Sequence, residues 1–295
     1  IASIESYLLI GGDVQLDCSE YVYDGTEKKP LMTIGLWDYK LVNGVDYTLS
    51  YVSNIDAGTA MVQANGIGSY QGKIKTESFT IKPMDITDVA EITYPYGMTK
   101  VYNRLKQKLF VGLRIGNIEL EHGVDYGLNY GENINVGIGT IEIYGSGNYT
   151  GYLTTEFVIE PAMLPPVTLE DVQHIYLGSE ITPALTVKED DWLFELEEGV
   201  DYTLSYADNI NAGTGKVVVT GIGNYTGEVI KGFTISPREI INLKLLNNAF
   251  DYTGNGIIPE IVVTSDYWNL VKDQDYIVTY SNNINVGTAT VSVTG

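Results

Sequence analysis

Short stretches of this chain alternate between hydrophobic and polar residues, with turn-forming residues between them. Tyr47, Leu49 and Tyr51 stand two residues apart directly after a Gly-containing turn, and Leu41 lies before that turn. A period of two places every second side chain on one face of a strand, so the pattern predicts a β-hairpin with one buried face. The same hairpin recurs with its first tyrosine at Tyr126, Tyr202 and Tyr276.

The first tyrosines of the four hairpins lie 79, 76 and 74 residues apart. A period of this length, with strand patterns and turn signals about every 8–12 residues, favours an array of small β-domains over the blades of about 40–50 residues in a propeller. We therefore predict an all-β fold of tandem Ig-like antiparallel β-sandwich domains in an elongated array. The predicted repeats are residues 1–83 (repeat 1), 84–162 (repeat 2), 163–238 (repeat 3) and 239–295 (repeat 4, incomplete at its C-terminal end).

Turn signals recur at fixed places in the repeats. The opening tyrosines are Tyr23, Tyr102, Tyr176 and Tyr252. Gly follows two residues later in three repeats, whereas Arg104 stands there in repeat 2. The hairpin turn carries Gly at a place where positive φ is expected, and Asp273 replaces it in repeat 4. An Asn-Ile turn follows, whose Ile or Val is expected to fill one end of the core. A Gly-x-Tyr-x-Gly link, a strand ending in Phe-x-Ile and a junction proline then close repeats 1 to 3.

The recurring motifs resemble the short tandem Ig-like repeats of bacterial surface proteins, the type with Tyr-Asp-Gly near the repeat start. Tyr23-Asp24-Gly25, the Gly-Val-Asp-Tyr hairpin, the Asn-Ile turn and Gly-Asn-Tyr-Thr-Gly appear in the same order over nearly the whole chain. The resemblance implies an extracellular, wall-anchored or secreted multidomain protein, often an adhesin or a stalk, with no family-wide active site. Repeat 2 departs most, because Tyr102-Asn103-Arg104 replaces the opening motif.

Composition narrows the partner classes. The 17 Lys and Arg against 38 Asp and Glu give a formal charge of −21, which repels nucleic acid and anionic membranes. The chain contains no run of 18 apolar residues, so the sequence predicts no membrane insertion. Cys18 is the only cysteine, so an intrachain disulfide is excluded and a bacterial exported protein fits. The start at Ile1 without a signal peptide and the stop at Gly295 indicate a piece of a longer protein.

Catalytic and metal chemistry find little support in the sequence. His122, His174 and Cys18 are replaced by other residue types at the same place in the other repeats. We therefore expect no catalytic residue, no cofactor and no enzyme activity. Asp208 and Asn209 open an oxygen-rich turn, but calcium takes six to eight oxygens and repeats 2 and 4 offer mainly Asn there. No metal site is expected, although calcium at the junctions is left open.

Aromatic side chains give the candidate ligand-binding residues. Trp37 and Trp192 lie near a strand end that is expected to be exposed, where a ring could stack on a sugar. Trp268 shares its position with Tyr39 and Phe194 and is expected to pack in the core, as most aromatic residues in strands do.

The sequence as a whole predicts a non-catalytic structural or adhesive stalk on a bacterial cell surface, or in a secreted protein, that spaces or presents a binding region. Four domains in a rod would be roughly 130–160 Å long. The predicted partners are neighbouring Ig-like domains and a host or matrix protein or a glycan. A carbohydrate-binding module that uses exposed aromatics, and a phage or fibre structural protein, are the alternatives.

The chain also predicts self-association at its C-terminal end. Repeat 4 stops at Gly295, before the link and the Phe-x-Ile strand. An open edge is a template for another strand, and residues 4–10 of a neighbouring copy are an apolar donor. An excised or truncated end is the simpler alternative.

Overall fold

The computed structural model describes residues 13–36, 38–72, 74–188, 194–266 and 268–295. The chain forms two compact units, one that ends at Ala162 and one that begins at Met163. In the described ranges, regular structure is β-strand apart from one 3-10 turn at Gly68–Tyr70. The predicted all-β class is therefore confirmed.

Repeat 1 contributes seven strands to the first unit. They are β1 (Asp13–Leu16), β2 (Glu20–Val22), β3 (Met32–Leu36), β4 (Tyr39–Lys40), β5 (Tyr47–Val52), β6 (Gly58–Gly66) and β7 (Ile74–Lys82). One sheet has the order β1-β3-β4 and the other has the order β2-β7-β6-β5. Ile34 of the first sheet and Val62 of the second share one buried cluster, so the two sheets pack as layers on a common core.

Repeat 2 has the same plan within the first unit. Its strands are β8 (Met84–Asp85), β9 (Glu91–Thr93), β10 (Thr99–Val101), β11 (Gly112–Ile115), β12 (Ile118–Glu119), β13 (Tyr126–Tyr130), β14 (Gly137–Gly145), β15 (Tyr149–Thr150) and β16 (Tyr152–Glu160). The sheets are β12-β11-β9 and β10-β16-β14-β13. Leu113 and Ile143 come from opposite sheets and are fully buried in one cluster.

Repeat 3 repeats the four-stranded sheet in the second unit. The strands are β17 (Ala162–Met163, at the boundary of the units), β18 (Val167–Leu169), β19 (Gln173–Ile175), β20 (Leu185–Val187), β21 (Tyr202–Ala207), β22 (Gly213–Gly221), β23 (Tyr225–Thr226) and β24 (Glu228–Ser236). The order β19-β24-β22-β21 matches repeats 1 and 2. Leu169 of the facing β18-β20 pair packs on the buried Phe233 of β24.

Repeat 4 keeps only part of this plan over the described residues. Its strands are β25 (Asn242–Leu245), β26 (Ile261–Ser265), β27 (Trp268–Asn269), β28 (Ile277–Ser281) and β29 (Thr290–Thr294). The sheet β25-β26-β27 corresponds to β1-β3-β4, whereas β28 and β29 form a two-stranded sheet in place of a four-stranded one.

The prediction of purely antiparallel sheets is wrong in one respect. The opening strand of each four-stranded sheet runs parallel to the last strand, as Tyr21 opposite Ile81 and His174 opposite Ile235 show. Repeat 2 has the same parallel pair between β10 and β16. Alternation of hydrophobic residues reports which face is buried and not the direction of the neighbouring strand, so the sequence pattern could not detect this.

Two positions that were predicted to lie in the core are exposed. The position two residues before the hairpin leucine is 55% exposed at Tyr39 and 52% exposed at Trp268. The isoleucine of the Asn-Ile turn is likewise exposed at Ile55, Ile210 and Ile284. The isoleucine of this turn therefore does not fill one end of the core in repeats 1, 3 and 4.

Repeat 2 retains the opening turn despite its different sequence. In repeat 1, the Asp24 carboxylate accepts hydrogen bonds from the Thr26 amide and hydroxyl and pairs with Lys28, which lowers the pKa of Asp24 to about 2. Asn103 takes the same place in repeat 2 and accepts the Leu105 N–H at 3.0 Å. Arg104 adopts φ of +66°, close to the +77° of Gly25, so the fold holds a non-glycine residue in the left-handed region there.

Candidate functional site

The two tryptophans predicted to bind a ligand, Trp37 and Trp192, lie outside the described residues, so their role stays a prediction. Trp268 is exposed, and the Arg238 guanidinium lies 5.7 Å from the centroid of its ring. That distance is typical of a cation–π contact. The prediction that Trp268 packs in the core is therefore wrong. It was based on spacing, because Trp268 stands two residues before the hairpin leucine.

The residues weighed as catalytic have packing contacts inside their own repeats. The His174 ring lies edge-on to Phe233 with 5.6 Å between ring centroids, and His122 lies 5.4 Å from the ring of Tyr126. The Cys18 thiol donates to the Glu20 carbonyl at 3.0 Å. Within the described ranges, no group of three His, Cys, Asp or Glu side chains is placed to hold a metal ion.

The asparagine of the oxygen-rich turn joins two loops of its own repeat. The Asn209 side-chain amide donates to the Ile181 carbonyl at 3.2 Å, and the Ile181 N–H donates to the Asn209 carbonyl at 2.8 Å. Repeats 1 and 4 form the same pair of bonds, between Asn54 and Lys28 and between Asn283 and Ile257. The recurrence of this asparagine is therefore explained by contacts inside the protein.

The aspartate of each Asp-Tyr pair closes the hairpin turn. The Asp46 carboxylate accepts the Val42 N–H at 2.8 Å, and the Asp46 N–H donates to the Val42 carbonyl at 2.8 Å. The equivalent carboxylates do the same in every repeat, at Asp125, Asp201 and Asp275. A carboxylate can satisfy a backbone N–H at this spacing, so the Asp is a structural residue.

The structure shows a well-defined set of contacts at the junction between repeats 1 and 2, inside the first unit. The side chain of Asn148, in the link of repeat 2, reaches a turn of repeat 1. It accepts a hydrogen bond of 2.7 Å from the Ala57 N–H and donates one of 3.0 Å to the Asp56 carboxylate. These two bonds connect residues that are 91 and 92 positions apart in the chain.

Backbone pairing holds the same junction. Strand β15 runs parallel to β8, which follows Pro83 at the start of repeat 2. The Met84 N–H donates to the Asn148 carbonyl at 2.9 Å, and the Ile86 N–H donates to the Thr150 carbonyl at 2.9 Å. The first residues after repeat 1 therefore enter a short ladder with no free linker between the repeats.

Tyr149 seals the junction with its ring. Only 8% of Tyr149 is exposed, and its ring lies edge-on to Tyr23 of repeat 1 at a centroid distance of 5.4 Å. Burial, with a smaller contribution from Tyr23, raises the pKa of Tyr149 to about 12. Next to it, Gly151 has a φ of +94°, which favours glycine, and a Cβ there would have to displace the Asp85 carboxylate.

One local pattern marks this junction, since the Gly-x-Tyr-x-Gly link recurs in repeats 1 to 3. Its Asn-Tyr-Thr form in repeats 2 and 3 matches a glycosylation sequon, which does not suggest contact with the preceding repeat. In the second unit, the Leu164 N–H donates to the Thr226 carbonyl at 2.9 Å. That bond is equivalent to the one between Ile86 and Thr150, so the ladder recurs.

Residues of repeat 4 line two cavities. The first, of about 240 Å³, is lined by Tyr176, Asn211, Ala212, Arg238 and Trp268 among others. The first four of these occupy the positions of Tyr23, Asp56, Ala57 and Met84, which contact the link in the junction between repeats 1 and 2. The second, of about 520 Å³, lies between β29 and the segment that contains Phe250.

Comparison with known proteins adds no assignment. No protein-family model matches the chain, and no curated protein matches it. The resemblance to bacterial Ig-like repeats stays a prediction. None of the helices that the structure describes is long and apolar enough to cross a bilayer.

Proposed function

We propose that the chain is a non-catalytic spacer, made of tandem Ig-like β-sandwich repeats, that holds a binding region away from a bacterial cell surface or within a secreted protein. The observation that carries this proposal is the junction between repeats 1 and 2. A chain of domains holds its two ends at a fixed separation only if the junctions between the domains resist bending. Flexible linkers do not resist bending.

The junction supports the proposal through its three kinds of contact. Asn148 fixes the turn at Asp56 and Ala57, the β8–β15 ladder fixes the connecting backbone, and Tyr149 covers Tyr23. Each contact restricts a different movement of repeat 2 against repeat 1. The side chains that remain exposed are rich in carboxylates, and the formal charge of −21 keeps such a chain dissolved and apart from like-charged surfaces.

Small-angle X-ray scattering of the 295-residue chain tests the proposal. A spacer of four repeats should have a maximum dimension of roughly 130–160 Å. A single globule of this length would have a radius of gyration of about 19 Å and a maximum dimension of about 50 Å. A value near the second figure contradicts the spacer.

The cellular location needs its own experiment. Antibodies raised against the chain should label intact cells of the source bacterium, or detect the protein in culture medium. Detection only after the cells are broken would contradict the proposed location, although it would leave the spacer architecture untouched.

A further inference from the structure

We propose that repeat 2 carries a binding surface for an anionic polysaccharide, formed by a row of aromatic rings and by two lysines beside it. The rings belong to Tyr96, Phe110 and His122, and the lysines are Lys106 and Lys108. We call these five residues the aromatic–lysine surface. It is independent of the proposed spacer function, because all five residues belong to one repeat and none takes part in the junction with repeat 1.

Three rings follow one another on the outside of repeat 2. The Tyr96 ring lies 6.3 Å from the Phe110 ring, and the Phe110 ring lies 5.7 Å from the His122 ring, between centroids. Tyr96 is 76% exposed and Phe110 is 39% exposed. The rings therefore contact one another and still present aromatic surface to a ligand.

The inner end of this row rests on the core. The His122 ring lies 5.4 Å from the ring of Tyr126, which is buried and whose hydroxyl donates to the Val111 carbonyl at 2.9 Å. Val111 directly follows Phe110 in the chain. The row thus has a fixed support, and a binding surface that is ordered in advance loses less entropy when a ligand binds.

The other repeats form their sandwiches without these rings. The residues at the places of Tyr96, Phe110 and His122 are Asp17, Leu31 and Asn43 in repeat 1, Glu170, Ala184 and Glu198 in repeat 3, and Leu246, Glu260 and Lys272 in repeat 4. In each of these repeats, the N–H at the first place donates to the carbonyl at the second at 3.0 Å. The fold therefore does not require aromatic residues here, and the row is a particular feature of repeat 2.

Positive charge is concentrated in the same part of repeat 2. Residues 92–118 contain five of the 17 Lys and Arg of the chain and none of its 38 Asp and Glu. Arg114 pairs with the Glu91 carboxylate at 2.6 Å. Lys106 and Lys108 are exposed, and within the described ranges neither forms an ion pair. These two ammonium groups are therefore available to an anionic ligand.

The lysines and Phe110 lie on one side of the same segment. Gln107 and Leu109 are buried, whereas Lys106, Lys108 and Phe110 are exposed. Alternate side chains of an extended chain are about 7 Å apart, so these three form a line of about 13 Å that leads into the row of rings. A line of this kind suits a polymer better than a compact anion.

The chemistry of the surface favours a polysaccharide. A sugar ring has a face of C–H groups, which can pack on the electron-rich face of an aromatic ring. Carboxylate or sulfate groups of the same polymer can then reach the lysines, whose ammonium groups act as point charges on flexible stems. An extended peptide commonly adds to an unpaired strand edge, but β11, which follows the lysine segment, lies between β12 and β9 in the middle of its sheet.

The acidity of the rest of the chain does not prevent such binding. At physiological ionic strength, charges more than about 8 Å apart are largely screened. A polymer on this surface therefore interacts mainly with the two lysines, and not with the carboxylates of other repeats. The same screening weakens the lysine contacts, so the affinity should fall as the salt concentration rises.

Titration of the 295-residue chain with chondroitin sulfate tests the inference. This polymer carries both carboxylate and sulfate groups, and dextran is the uncharged comparison. By calorimetry at low salt, chondroitin sulfate should bind at least tenfold more tightly than dextran. Its affinity should decrease as sodium chloride is raised to physiological ionic strength.

Two double variants separate the contribution of the rings from that of the lysines. Tyr96→Leu with Phe110→Leu removes both rings but keeps apolar side chains, and repeats 4 and 1 fold with leucine at these places. It should weaken binding at least tenfold. Lys106→Gln with Lys108→Gln should also weaken binding at least tenfold, and it should make the remaining affinity less sensitive to salt.

Matched controls lie away from the surface. Tyr152→Leu changes a tyrosine of β16 that is 73% exposed, and Lys40→Gln with Lys244→Gln removes two exposed lysines from repeats 1 and 4. Both controls should leave the affinity for chondroitin sulfate unchanged. Circular dichroism should show that every variant keeps its strands, and Tyr96→Leu alone, at the most exposed ring, should still weaken binding at least threefold.

Four results would overturn the inference. They are the absence of binding to chondroitin sulfate, an affinity that the ring variant leaves unchanged, an affinity that the lysine variant leaves unchanged, and tighter binding of polyglutamate than of chondroitin sulfate. The last result would show that the surface takes an acidic peptide.

Discussion

Replacement of Asn148 by alanine should loosen the junction between repeats 1 and 2 without unfolding either repeat. The Asn148 side chain forms the two hydrogen bonds, to the Ala57 N–H and to the Asp56 carboxylate, that reach from the link of repeat 2 to the turn of repeat 1. The β8–β15 ladder uses only backbone groups, so the substitution leaves it in place.

The size of the effect follows from those two bonds. A neutral hydrogen bond contributes about 0.5–1.5 kcal/mol, and a bond to a charged group about 1.5–3 kcal/mol. Asp56 is exposed, so solvent screening places its bond at the low end of that range. A total loss of about 1.5–3 kcal/mol should make the Ala57 amide exchange with solvent roughly 10- to 150-fold faster, since about 1.4 kcal/mol is a factor of ten.

Hydrogen exchange followed by NMR or mass spectrometry measures this change. Asn129→Ala is the matched control, because Asn129 is an exposed asparagine of the same repeat in β13, away from the junction. The control should leave the exchange of the Ala57 amide unchanged. The junction is misassigned if Asn148→Ala has no effect at Ala57, or if both variants accelerate exchange equally.

Three further predictions concern single side chains. Asp273→Gly should raise the free energy of unfolding of repeat 4 by about 0.5 kcal/mol, because Asp273 has a φ of +65° where the other repeats have Gly. Urea unfolding, followed by Trp268 fluorescence in a variant without the other tryptophans, measures this change. Tyr126→Phe should destabilise repeat 2 by about 1–2 kcal/mol in chemical denaturation, because the buried hydroxyl donates to the Val111 carbonyl at 2.9 Å. Burial raises the pKa of Tyr149 from 10.0 to about 12, so the neutral phenol stabilises the folded state fully below pH 10, and this stability is lost as the pH rises towards 12. Tyrosinate absorbance and circular dichroism should change together over that interval, and Tyr149→Phe should reduce the loss of stability.

The sequence predicted the strands and the hairpin well, because the same alternation of hydrophobic and polar residues recurs in all four repeats. The alternation of Tyr47, Leu49 and Tyr51 and the hairpin leucine gave the correct buried face. The same reasoning failed at Tyr39 and Trp268. Both residues lie in strands of only two residues, and the ladder continues in register to the hairpin leucine, whose N–H donates to the Ile34 carbonyl in repeat 1. Parity therefore does not specify how far along a strand the buried core extends.

The candidate site was much less accessible to sequence reasoning. Asn148 and Asp56 meet across more than ninety residues, and no local pattern records a contact of that range. The parallel strand pair was missed for a related reason, since period two specifies a face and not a neighbour.

The parallel pairing of the opening and last strands determines how a complete repeat responds to mechanical load. In repeat 1, β2 leads the chain into the four-stranded sheet and β7 leads it out, and the two strands lie side by side in the same direction. Tension between the two ends draws these neighbours past each other along their axes. All bonds of the short ladder then bear the load at once instead of opening one after another, so tension must break them together before the sheet separates.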